Sequence, residues 1–141
     1  MKLSNVMTGG IQTVAPQASL AEAAKKMASQ DIGSLPVCGE GRKVVGIITD
    51  RDITVRAVAR GMDPNQTRVD EIMTREVLSC PSSSEVEDAC ELMEKRQVRR
   101  LLVTDEHETP VGIVSLADIA LCLRENQSGE VLKKVSEPDW P

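Results

Sequence analysis

The 141-residue chain contains no phenylalanine, no tyrosine and one tryptophan, Trp140, beside the C-terminus. Hydrophobic residues still make up 40% of it, enough for a core, which must therefore be built from Val, Ile, Leu, Met and Ala. Single-strand nucleic-acid binders stack bases on aromatic side chains along a basic groove. This chain offers neither: 17 Lys and Arg stand against 22 Asp and Glu, a net charge of −5, so no nucleic-acid partner is expected. Histidine is almost missing as well. His107 stands alone, and Cys38, Cys80, Cys90 and Cys122 include no CxxC pair and no neighbouring histidine, so zinc-ligand spacing fails and no metal site is expected. Free thiols in a reducing compartment are the expected state. No apolar run approaches the roughly 20 residues that cross a bilayer, and Met1 to Gly10 contains no continuous apolar signal core. A cytoplasmic protein without a membrane partner is the class that remains.

What is present is a repeat. Val6-Met7-Thr8 returns 66 positions later as Ile72-Met73-Thr74, and the same offset carries Ala23 to Ala89, Met27 to Met93 and Leu35 to Leu101. It also carries Val45-Gly46-Ile47-Ile48-Thr49 onto Val111-Gly112-Ile113-Val114-Ser115, and Asp52-Ile53 onto Asp118-Ile119. Register slips by one residue only around Pro16 and Pro81. Each repeat reads as an extended segment (Ile11 to Ala15; Val77 to Cys80), then a helix with Leu20, Ala23, Ala24, Met27 or Val86, Ala89, Cys90, Met93 on its apolar face. Ser19-x-x-Glu22 and Ser84-x-x-Glu87 supply capping boxes. Two β-rich runs joined by turns follow as a hairpin, Ser34 to Cys38 with Val44 to Thr49, and Arg100 to Thr104 with Val111 to Ser115. A second helix starts after Thr49 and after Ser115.

The predicted fold class is α+β: two β-α-β-β-α units, about 55 residues each, too small to be comfortable alone. They are expected to be related by a pseudo-two-fold axis, sheets together and helices outside. The expected boundaries are 1–62 for the first unit, 63–71 for a linker, 72–125 for the second unit and 126–141 for a polar, partly mobile tail with a short helix near Glu130 to Val135.

The repeated signature ends in a hydroxyl followed three residues later by a carboxylate: Thr49 and Asp52, Ser115 and Asp118. One reading is a pair of helix caps, each contributing about 1 kcal/mol and needing no ligand. The other is a binding element. First-turn amides and a hydroxyl suit a phosphate, and a carboxylate can accept both hydroxyls of a vicinal diol such as ribose.

The Met-Thr start, the proline at the first strand end, Leu35-Pro36-Val37, Val45-Gly46-Ile47-Ile48-Thr49 and Asp52 together resemble the cystathionine β-synthase (CBS) domain, and two in tandem resemble a Bateman module. The likeness covers roughly residues 3 to 125 and extends to small stand-alone bacterial and archaeal CBS pairs. It implies a non-catalytic sensor, with no catalytic residues and no required cofactor, that takes AMP, ADP, ATP or S-adenosylmethionine in clefts between the two units. It implies ribose contacts from Asp52 and Asp118 and ribose or phosphate contacts from Thr49 and Ser115. It makes Arg99 and Arg100 phosphate candidates, with Arg51 a third. It further implies a homodimer through the second helices. Ile119-Ala120-Leu121-Cys122-Leu123 is apolar all round, whereas Arg56 and Arg60 mark the first repeat's helix as more polar. The repeats differ where Gly33-Ser34 faces Arg99-Arg100 and where Asp50-Arg51 faces Leu116-Ala117, so unequal sites are expected. Two other readings stay open: a constitutive scaffold with no ligand, and a thiol or metal stress sensor using the four cysteines. The regulated protein is not readable from sequence.

Overall fold

The computed structural model describes residues 1–126; the expected tail beyond Asn126, with its short helix and Trp140, lies outside the described residues. Along the chain run β1 (Thr8–Gly9), α1 (Leu20–Gln30), β2 (Ser34–Cys38), β3 (Val44–Thr49), α2 (Asp50–Asp52), α3 (Val69–Ile72), β4 (Ser79–Pro81), α4 (Val86–Arg96), β5 (Arg100–Thr104), β6 (Pro110–Ser115) and α5 (Leu116–Asn126). Among the described residues no helix is long and apolar enough to cross a membrane. These elements form two compact units, Gln12–Val77 and Met1–Ile11 with Leu78 onward.

In the unit Gln12–Val77, Ser19 caps α1 by accepting the Glu22 amide at 3.1 Å, and Asp31 ends the helix in the left-handed region at φ 53°. Strands β2 and β3 pair antiparallel, Ser34 opposite Thr49, with a bulge at Val37/Cys38. Of the extended segment expected before α1, Val14 makes a single parallel bridge to Val37. After α2 the backbone continues as a π turn, Ile53–Ala57, and a 3-10 turn, Val58–Arg60, stopping at Gly61 with φ 69°. The core is aliphatic: Leu20, Ala23, Met27, Leu35, Val37, Ile48, Val69 and Ile72 among others.

The second unit holds a sheet ordered β1-β6-β5-β4, in which β4 runs parallel to β5 and the other neighbours pair antiparallel. Its bulge, at Val103/Thr104, falls 66 residues from the first. Leu3, Val86, Ala89, Met93, Leu101, Val103, Val114 and Ile119 form its core. The cap of α4 differs from the sequence expectation: Glu85, not Ser84, is the capping residue, and Asp88 returns the bond by accepting the Glu85 amide at 3.1 Å. Three neighbours favour the shift. The Ser84 carbonyl is taken by the Leu3 amide at 2.9 Å, and Glu85 is gripped by the Met1 ammonium at 2.9 Å and Lys2 at 2.7 Å.

The Met-Thr segments explain why the compact units are not the continuous stretches drawn from the repeat. Thr8 and Gly9 pair with Ile113 and Gly112, whereas Thr74 pairs with Ile47 through bonds of 2.8 and 2.9 Å. Each repeat's opening segment thus satisfies the free strand edge of the other repeat. The glycine in each Val-Gly-Ile motif permits the approach. A Cβ on Gly46 would lie 2.6 Å from Met73 Sδ and 2.9 Å from the Thr74 carbonyl; on Gly112, 2.5 Å from Met7 Sδ and 2.9 Å from the Thr8 carbonyl.

Candidate functional site

Where β3 runs into α2, Thr49 Oγ1 accepts the Asp52 amide at 3.0 Å and Asp52 Oδ2 accepts the Thr49 amide at 3.1 Å. This reciprocal pair satisfies two amides at the start of the helical segment. Asp52 is only 8% exposed, so its second oxygen needs partners. The Thr74 hydroxyl, carried in by the exchanged segment, donates across both carboxylate oxygens at 3.3 Å. Arg56, one turn on, donates from Nη1 to the Ile72 carbonyl at 3.0 Å and to Thr74 Oγ1 at 3.2 Å, and lies 3.6 Å from Asp52 Oδ1. Arg51 is exposed, and its amide donates to Asp50 Oδ1 at 2.8 Å. The Asp50 carboxylate stands over Gly33, where a Cβ would be 3.0 Å from Oδ2.

The second unit repeats the cap: Ser115 Oγ accepts the Asp118 amide at 3.1 Å and Asp118 Oδ2 accepts the Ser115 amide at 2.9 Å. Its surroundings differ. Asp118 is half-buried, the position of Arg56 is taken by Cys122, and that of Asp50 by Leu116, buried in the core. Arg100 is exposed and stands directly opposite Ser115 in the β5–β6 register, and the Arg99 carbonyl accepts the Leu116 amide at 2.8 Å. The structure thus brings Ser115, Asp118, Arg99 and Arg100 to one end of one hairpin, and keeps Arg51 with Thr49 and Asp52 in the other unit. An acid covers the Gly33 corner of the first site, while two arginines flank the corresponding corner of the second.

Sequence reasoning missed Thr74 and Arg56 as partners of Asp52. The four-residue spacing of Asp52 and Arg56 was a readable signal for a same-face ion pair. Thr74 gave none without the exchange of opening segments.

Three thiols, Cys38, Cys80 and Cys90, are shifted toward the neutral form. Burial, followed by the Glu87 charge, pushes Cys90 up to about 11; burial, then Asp88, raises Cys80; burial raises Cys38 as well. Among the described residues, no group of three or more His, Cys, Asp or Glu side chains is placed to hold a metal ion.

The family model for the CBS domain matches residues 3–58 and 69–125. The chain is 35% identical over 134 residues to Hypoxic response protein 1 of Mycobacterium tuberculosis, covering 95% of this chain and 93% of that one. A crystal structure of Hypoxic Response Protein I with two coordinated zinc ions superposes with a TM-score of 0.77 at 36% identity, over 86% of this chain and 98% of the other. The CBS domain pair of protein MJ0100, in complex with 5-methylthioadenosine and S-adenosyl-L-methionine, superposes with a TM-score of 0.76 at 30% identity, over 89% of this chain and 98% of that one. With both repeats matched and the fold shared, the chain belongs to the CBS domain family and carries two tandem CBS repeats.

Proposed function

We propose that the chain is a non-catalytic, cytoplasmic regulatory module that binds an adenosine-containing ligand of the AMP, ADP or ATP class, with Asp118 and Asp52 as ribose acceptors and Ser115 and Thr49 beside them. The observation that carries this reading is the end of the β5–β6 hairpin. There a half-buried carboxylate, a hydroxyl, the first turn of an 11-residue helix and two arginines occur together. Asp118 uses Oδ2 for the Ser115 amide and keeps acceptor capacity for a diol. Arg99 and Arg100 supply the planar, bidentate donors that suit phosphate, and Arg51 is the corresponding candidate in the other unit. The 5-methylthioadenosine and S-adenosyl-L-methionine named for the MJ0100 pair support the adenosine part of this reading; the phosphate part rests on the two arginines. A ligand regulates by binding one conformation of the module more tightly than another.

The assembly in this reading is a homodimer through the second helices. Its support is the exposure of Val55, Val58 and Leu121, at 51%, 64% and 65%. Val55 and Leu121 are equivalent positions of the two repeats, so the apolar surface is present on the first repeat's helix too, where Arg56 and Arg60 suggested a more polar one.

The raised thiols and the scattered donors do not favour the thiol or metal sensor. The scaffold reading is the one to test against. A thermal-shift panel of AMP, ADP, ATP, NAD and S-adenosylmethionine separates them. At a hundred times Kd, a ligand specific for the folded state contributes about 2.7 kcal/mol, which raises Tm by several degrees in a chain of this size. An unchanged Tm across the whole panel would leave the capping boxes as structural features alone.

A further inference from the structure

We propose that Arg56 is a latch that withholds Asp52 from ligand, so that the chain has one high-affinity nucleotide site, at Ser115–Asp118, and one weak site, at Thr49–Asp52. This inference rests on the adenosine-ligand reading and assigns the two sites different strengths. In the first unit the acceptor oxygens are already engaged. Oδ2 holds the Thr49 amide, the Thr74 hydroxyl reaches both oxygens at 3.3 Å, and Arg56 fixes that hydroxyl from 3.2 Å while lying 3.6 Å from Oδ1. The carboxylate is buried beneath these groups, so a ribose diol has to displace them before it can bind, and a displaced, buried polar group is costly unless re-paired. Arg56 is itself tied down by the Ile72 carbonyl at 3.0 Å, which anchors the latch to the exchanged segment. Neither condition recurs in the second unit. Cys122 stands in place of Arg56 and provides no guanidinium, and among the described residues the hydrogen bond to the Asp118 carboxylate comes from its own cap.

Charge acts in the same direction. A phosphate approaching the first site meets Asp50 over Gly33; at the second it meets the end of β5 where Arg99 and Arg100 stand, with Leu116 in place of the acid. Like-charge approach disfavours an anion at the former and opposite charge favours it at the latter.

The test is a calorimetric titration of the full chain with AMP as the probe, read for stoichiometry as well as affinity. Wild type is expected to bind one AMP tightly per chain, and Asp118→Asn to weaken that event about tenfold or more. Arg56→Ala is expected to strengthen the weak event at least tenfold and so reveal a second AMP. Thr74→Val removes the bridging hydroxyl and is expected to do the same, which covers the case in which Arg56→Ala does not fold. Cys122→Arg, placing the latch residue in the second repeat, is expected to weaken the tight site. Two equal sites in wild type overturn the proposal, as does a folded Arg56→Ala chain that gains no second site or binds AMP less well. Absence of AMP binding in wild type and in every folded variant overturns the adenosine reading itself and this inference with it, a result distinct from two equal sites.

Discussion

Glu85 is a partly exposed residue whose partners, not its burial, set its ionisation. Hydrogen bonds from Lys2 and from the N-terminal ammonium, reinforced by their charges, lower its pKa from 4.5 to about 2, and Glu85 in turn raises the pKa of the ammonium. A carboxyl whose folded pKa is depressed contributes stability that is present above the unfolded value and lost as pH falls through the folded one. The window here therefore runs from pH 4.5 down to about 2. Glu85→Gln should melt below wild type at about pH 6, with the gap closing as the pH falls through that window; a gap that stays constant across that range would contradict the assignment. At this scale the sequence was only partly legible. The pairs Thr49–Asp52 and Ser115–Asp118 could be read directly, because a cap is local and its donors lie within three residues. The shift of the α4 cap from Ser84 to Glu85 could not, because it depends on Met1, Lys2 and Leu3, which lie far off along the chain.

Among the elements, the two hairpins followed almost residue for residue from alternation and turn signals, as did the helix starts after Thr49 and Ser115. The opening Met-Thr segments did not, since nothing in their local pattern says which strand they will flank. Gly46 and Gly112 held the missing information: a glycine inside a strand marks a close backbone approach. Either glycine replaced by alanine drives a Cβ to 2.9 Å from a backbone carbonyl that cannot swing aside. Gly112→Ala should therefore destabilise the chain by roughly 1–3 kcal/mol, the usual cost of overpacking. Chemical denaturation measures it, and a change below a few tenths of a kcal/mol would show that the segment moves away freely. The second helices diverge for a related reason. The first breaks into a π turn at Ile53–Ala57, a feature that often accompanies functional positions, and it contains Arg56; the second is a regular helix carrying Cys122 at that position.

For the whole molecule, the duplication was legible in the residue order itself, and the aromatic-free core is what composition required. The exchange of opening segments was not, and it means that residues of one repeat stabilise the other: Leu3, fully buried, belongs to the core of Val86, Leu101 and Ile119. The proposed dimer also belongs to this scale. Leu121→Glu should shift the sedimenting species from a dimer toward a mass near 15.3 kDa, because a charge replaces an apolar contact in the interface; a wild-type chain that already sediments at that mass at every concentration would contradict it. The central claim is that Asp118 binds the sugar of an adenosine ligand, and the most direct measurement is calorimetric titration of AMP into wild type and Asp118→Ala. Binding is expected to weaken roughly 10- to 150-fold on substitution, the equivalent of about 1.5–3 kcal/mol for a hydrogen-bonded charged group. Equal affinities in the two folded proteins would contradict the claim.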